Sequence, residues 1–190
     1  DVCSSDLEVI VKILQKIRTA TISGNIQSLK KAARSSLDAA SIFQDKNTLS
    51  VAVIAYSIFK LTERKRIIKT DIPISIYTDI IKNLDNSSKN LSNKQIKEYE
   101  QNIKNLFKLI GQLDNQLPLY IEEIVNKAKI KKGFLLHEKG ISLQRAAHIM
   151  GISQWGLMNY VGKTQISEHI SKKIDIRDRL NFTRTIFNLK

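Results

Sequence analysis

The sequence predicts an all-α chain, an N-terminal helical bundle followed by a C-terminal helix-turn-helix, and three observations carry that prediction. Apolar residues recur at helical spacing along almost the whole length, as in Val9, Ile10, Ile13, Leu14 and Ile17. Helix breakers are scarce: the prolines are Pro73 and Pro118 alone, and five of the seven glycines fall between Gly133 and Gly162. Inside that glycine-rich stretch, Ser142–Gly162 reads as two short helices around a turn at Gly151.

Asp1–Leu7, DVCSSDL, resembles the translated read-through of a sequencing adapter and is set aside from fold reasoning. The single cysteine, Cys3, goes with it. A cysteine-free chain suits a reducing cytoplasm, the expected location, and excludes disulfides and thiolate metal sites. The first helix carries Val9, Ile10, Ile13, Leu14 and Ile17 on one face and stops near Gly24. The second shows Ile26, Leu29, Ala33, Leu37 and Ala40 at helical spacing. A third, from about Thr48, holds Val51, Ala52, Val53, Ile54, Ala55, Ile58 and Phe59. It is apolar nearly all round, which makes it the central helix of the bundle. Its end is a cationic patch, Arg64, Lys65, Arg66 and Lys69, which suits a helix C-terminus and offers a less favoured second nucleic-acid contact.

Ile72, Ile74 and Ile76 alternate around Pro73, and a turn into a helix over Ile76–Leu84 is preferred there to a short strand. Asn83–Asn93, dense in Ser and Asn, is the best linker candidate. Ser92 then opens a long helix, with Gln95 completing a capping box and a stripe of Ile96, Tyr99, Ile103, Leu106, Phe107, Ile110 and Leu113. Pro118 suits the first turn of the next helix, whose inner face is Ile121, Ile124, Val125 and Ala128. The division that follows is a bundle over 8–91, connecting helices over 92–136 whose long helix either forms a dimerisation arm or simply packs on its neighbour, and a basic helix-turn-helix domain with its tail over 137–190. The longest apolar run, Leu49–Leu61, is too short to span a bilayer, so no membrane partner is expected.

The net charge of +13 and pI near 9.8 favour a polyanionic partner, nucleic acid first. A genome rich in A and T also encodes Lys, Ile and Asn freely. Such bias is uniform, however, and the charge is not. Residues 127–190 hold 13 basic and 4 acidic side chains, a net of +9, against 18 and 12 over 8–126, a net of +6.

Around Gly151 the local chemistry is specific. A helix that ends in a left-handed residue needs glycine there. Ala147, four residues earlier, is small enough for two helices to cross closely. Ala146 and Met150 face inward on the first helix, Ile152 plugs the turn, and Leu157 and Tyr160 continue the stripe on the second. Ser153 stands where an N-cap is needed. If the second helix enters a major groove, Ser153, Gln154, Trp155, Met158 and Asn159 face the bases. Gln154 and Asn159 have the paired donor and acceptor that adenine's edge takes bidentately. Gln144 and Arg145 before them, and Lys163 and Thr164 beyond, are placed for phosphates. An indole such as Trp155 packs on a neighbouring helix or a partner protein more readily than it reads bases. Gly162-Lys163-Thr164 is no phosphate loop, since Leu157 stands where that motif needs glycine; a C-terminal cap accounts for Gly162.

The stretch Phe134–Gly162 resembles a group of small, mostly archaeal and uncharacterised helix-turn-helix proteins with a pattern like L-Y-x-E-G-x-I-S-L-x-x-A-A-x-x-x-G-I-S-x-W. The matching residues are Leu136, Glu138, Gly140, Ile141, Ser142, Leu143, Ala146, Ala147, Gly151, Ile152, Ser153 and Trp155. Members carry a polar residue where this chain has Gly156, which implies a soft or closely approached second helix. Some relatives look like antitoxins encoded beside PIN-domain ribonucleases, so the resemblance implies either a DNA-binding regulator or a module that neutralises such a toxin. It does not reach the N-terminal half.

Catalysis has little support. His137, His148 and His169 lack ligand spacing, and Glu122 and Glu123 point to different helix faces. No enzyme activity, no metal and no other cofactor are expected. The expected function is sequence-specific binding of double-stranded DNA by a transcriptional regulator, with the antitoxin-like interaction module as the alternative; a third reading, non-specific RNA or DNA binding through the basic surface alone, needs no recognition helix.

Overall fold

The structure, a computed structural model, describes the backbone of residues 4–68 and 73–171 and the side chains of 7–65 and 73–164. The described residues form eight helices and no strand, as the sequence predicts. These are α1 (Ser4–Ile22), α2 (Ile26–Phe43), α3 (Lys46–Ile68), α4 (Ile74–Ser92), α5 (Ile96–Leu113), α6 (Leu117–Glu138), α7 (Leu143–Met150) and α8 (Gln154–Ser171). They divide into two compact units, Asp1–Lys132 and Gly133–Lys190.

In the first unit, α1 packs on α2 and α4, α2 on α3, and α5 on α3 and α4. One cluster fills the space between them, with Leu14 and Ile17 from α1, Leu29 from α2, Ile54 from α3, Leu84 from α4 and Leu106 from α5 all but fully buried. α3 is buried on several sides, through Val51, Ala52, Val53, Ile54 and Ala55, as its uniformly apolar sequence requires. The turn from α2 to α3 is tight. Gln44 takes the left-handed conformation and donates its N–H to the Ala40 carbonyl, and Asp45 caps α3 by accepting the Asn47 and Thr48 N–H groups at 2.7 and 3.0 Å. α6 lies on α2 and α3 through a smaller cluster of Ala40, Ala52, Val53, Ile124 and Ala128.

Several expectations are corrected. Asn83–Asn93 is no linker: α4 starts at Ile74 and runs through this polar stretch to Ser92. Ser87 and Ser88 are buried there, and the Ser87, Ser88 and Ser92 hydroxyls donate to the Asn83, Asp85 and Ser88 carbonyls at 2.7–2.9 Å. Serine satisfied by its own helix is a small residue that neighbours can approach, so polar composition here does not mean a loop. Ser92 closes α4 instead of capping α5, whose N-cap, Gln95, makes no side-chain capping bond. The bundle runs past the boundary expected at 91, since Tyr99, Ile103, Leu106 and Ile110 of α5 belong to the core shared with α1–α4, the packed alternative for this helix. On α6 Ile121 is exposed and Tyr120 takes its place inside. Arg64 belongs to a structural network. Its guanidinium donates to the buried Asp114 carboxylate at 3.1 Å and to Gln116 at 2.9 Å, and the Tyr120 hydroxyl also donates to Asp114 at 2.9 Å. Lys69 and Ile72 lie outside the described residues, as does Cys3.

Candidate nucleic-acid interface

The second unit is built from the end of α6, α7 and α8. Ser142 caps α7, its hydroxyl accepting the Arg145 N–H at 3.3 Å. α7 ends at Gly151, whose φ of +60° is the left-handed value the sequence demanded there. Ser153 then caps α8 by accepting the Gly156 N–H at 3.1 Å. Ala146, Ala147, Leu157 and Val161 are buried; Met150, Ile152 and Tyr160 are half-buried. Tyr160 meets Phe134 edge-on, with ring centroids 5.5 Å apart.

Gly133 is a packing residue that sequence reasoning missed. A Cβ there would lie 3.3 Å from Leu157 Cδ1 and 3.4 Å from Ile152 Cδ1, so the α6 backbone passes directly over the inner face of α8. A glycine set in a helical pattern otherwise free of breakers was the available signal.

Gln154, Trp155, Met158 and Asn159 share the outer side of the first two turns of α8, and all are exposed. Among the described residues, neither the Gln154 amide nor the Asn159 amide has an intramolecular hydrogen bond. Trp155 is 68% exposed, so no neighbouring helix among the described residues covers it. Ser153 is exposed as well, but its hydroxyl is committed to the cap.

The expected phosphate contacts divide. Gln144 and Arg145 are exposed on the first turn of α7, where the N-terminal partial charge of the helix favours an anion. Lys163 is also exposed. Thr164 is not available in the same way, since its hydroxyl donates back to the Tyr160 and Val161 carbonyls at 2.9 Å. Gly162 is no C-terminal cap, because α8 continues through it to Ser171. Lys163 and Thr164 therefore lie on the helix and not beyond it.

The charge excess is also placed differently from the sequence expectation. Lys127, Lys129, Lys131 and Lys132 belong to the first unit on α6. Lys127 pairs with Glu123 at 2.5 Å, Lys131 pairs with Asp38, and Lys132 donates to the Ile42 carbonyl. Within the second unit the described cationic side chains are Lys139, Arg145 and Lys163, against Glu138; the basic tail lies outside the described residues. Among the described residues no group of three His, Cys, Asp or Glu is disposed to hold a metal ion, and no helix is long and apolar enough to cross a membrane. Comparison of the chain with protein-family models, with curated proteins and with solved structures finds no match in any of the three.

Proposed function

We propose that α7 and α8 form a helix-turn-helix that binds double-stranded DNA and reads its sequence through α8. The observation that carries this reading is the exposed face of α8, where Gln154 and Asn159 hold unspent amide groups on a helix whose opposite side is buried through Leu157 and Val161. A protruding helix face with two bidentate-capable amides fits a major groove, and each such contact discriminates by about 1–3 kcal/mol. Arg145 and Lys163, exposed on the two helices, serve as phosphate contacts that set register without reading sequence.

The test is a titration of the full chain on a selected duplex and a scrambled one. Gln154→Ala or Asn159→Ala is expected to weaken the selected site by about 1–3 kcal/mol and leave the scrambled one as before. Arg145→Ala and Lys163→Ala are expected to weaken both alike and to flatten the salt dependence. Equal affinity for both duplexes, unchanged by Gln154→Ala and Asn159→Ala, refutes base reading by α8.

One observation favours a second reading. Trp155, Met158 and Ile149 are large apolar side chains left in water on this small unit, and exposed tryptophan is a frequent anchor of protein interfaces. On that reading the unit engages a partner protein, of which a PIN-domain toxin is one candidate. Trp155→Ala would then abolish partner co-purification while duplex binding persists.

A further inference from the structure

We infer that the groove between α1 and α2 is a second nucleic-acid site, one that grips the phosphate backbone of a duplex without reading its sequence. The groove measures about 800 Å³ and lies wholly in the first unit. Lys12 and Lys16 stand one turn apart on its α1 edge, and Lys31 and Arg34 stand three residues apart on its α2 edge. All four are exposed, no carboxylate lines the groove, and none of the four has an ion pair among the described residues. Ala20 and Ala32 form part of the floor, and with no long side chain at either position the cations stand along the rims of an open channel.

Solvated lysines on a helix surface are ordinary, but they are normally interleaved with acids. Like charges at i and i+4, as in Lys12 and Lys16, destabilise a helix by a few tenths of a kcal/mol. Here two such edges face each other with no carboxylate among the described lining residues, the nearest acids on the two helices, Glu8 and Asp38, lying one turn outside, so the field in the groove is one that an external polyanion relieves. The rest of the lining selects among polyanions. Gln15, Thr19 and Ser28 add neutral donors suited to phosphate oxygens. Among the described residues no aromatic side chain lines the groove, so it offers none of the base stacking that single strands rely on. No large apolar side chain among the described residues lines it either, so they supply no wedge for an anionic membrane surface. A duplex backbone is the polyanion that remains. The inference stands on the first unit alone and does not depend on what α8 reads.

The test uses the full chain and a random duplex of about 20 base pairs, titrated over a range of salt. The variant is Lys12→Gln/Lys16→Gln/Lys31→Gln/Arg34→Gln. The control is Lys82→Gln/Lys97→Gln/Lys104→Gln/Lys108→Gln, four exposed cations outside the groove. Each lost phosphate contact removes about 0.9 from the slope of log affinity against log salt, so the groove variant should lose about 2–4 of slope and at least about tenfold in affinity near 0.1 M salt. The control should stay within about threefold of the parent, the range expected from net charge alone. If the fourfold variant fails to fold, Lys12→Gln/Lys31→Gln should give about half the slope change. An unchanged slope overturns the site, and so does an equal loss in the control. Tighter binding to phosphatidylserine vesicles or to single strands than to the duplex, lost in the same variant, also overturns it. Site preference lost through Gln154→Ala is scored separately, so one reading can fail while the other stands.

Discussion

Two glycines in α8 should respond unequally to the same substitution. Glycine inside a helix costs about 1 kcal/mol relative to alanine, and both Gly156 and Gly162 lie inside α8. Around Gly162 a new Cβ meets nothing within 4 Å among the described residues, so Gly162→Ala should stabilise the helix by about 1 kcal/mol. At Gly156 the new Cβ would sit 3.0 Å from Ser153 Oγ, the atom that accepts the Gly156 N–H at 3.1 Å. The hydroxyl must then give by a few tenths of an ångström, which strains an N-cap whose full loss costs about 0.5–2 kcal/mol. The two terms oppose each other at Gly156, and the net change should fall well short of the gain at Gly162. Native-state hydrogen exchange on the α8 amides reads this directly. Gly162→Ala should slow opening by on the order of fivefold, the equivalent of about 1 kcal/mol, while Gly156→Ala slows it by much less or not at all. Equal slowing in both variants would refute the crowding of the Ser153 cap by a Cβ at Gly156.

Asp114 should be the costliest single carboxylate to remove. It is 3% exposed and accepts from the Gln116 N–H, the Tyr120 hydroxyl and the Arg64 guanidinium, so Asp114→Ala should cost about 3 kcal/mol in a denaturant titration. Burial alone raises its pKa, but those three donors together bring it below the ordinary carboxylate value, and burial with the bond to Asp114 pushes Tyr120 up to about 12. A depressed native pKa means this stabilisation is complete above the unfolded pKa and is lost as pH falls through the native one; acid unfolding should be shallower in Asp114→Asn. Ala147→Glu should unfold the second unit, because a side chain 2% exposed would become a charge with no partner. A circular-dichroism melt matching the parent would show that the α7–α8 contact is misread.

The parts of the chain legible in sequence were those decided locally. Ser142, Gly151 and Ser153 each set a helix end through bonds to residues within five positions, and α7 and α8 begin and turn where those residues say. The α4 error had the opposite cause: Ser87 and Ser88 carry loop-like composition, yet only the arrival of neighbouring helices decides that they are buried. Gly162 misled because a glycine is a cap only when its backbone turns left-handed, and this one stays helical. Asp114 with Arg64 and Tyr120 was invisible because Arg64 is 50 residues from its carboxylate partner. Lys12 and Lys16 on one face were readable, but the facing edge on α2 exists only once the two helices pair.

The attachment of α6 to α2 and α3 bears on the order in which the first unit assembles. Helices α1 to α5 also close a long loop, between α1 and α4, but a large apolar cluster shared by all five repays it. α6 instead docks through five small or medium apolar residues and a set of polar ties: Arg64 with Tyr120, Tyr56 with Glu123, and Lys131 with Asp38, separated by 56, 67 and 93 residues. Closing such long loops comes late, because their entropy is lost before the contacts repay it. The same helix is then the first to leave. In kinetic terms the part of α6 within the first unit should open as a segment of its own, its charged clasps loosening as ionic strength rises, and its amides should exchange at lower free energy than those of α3.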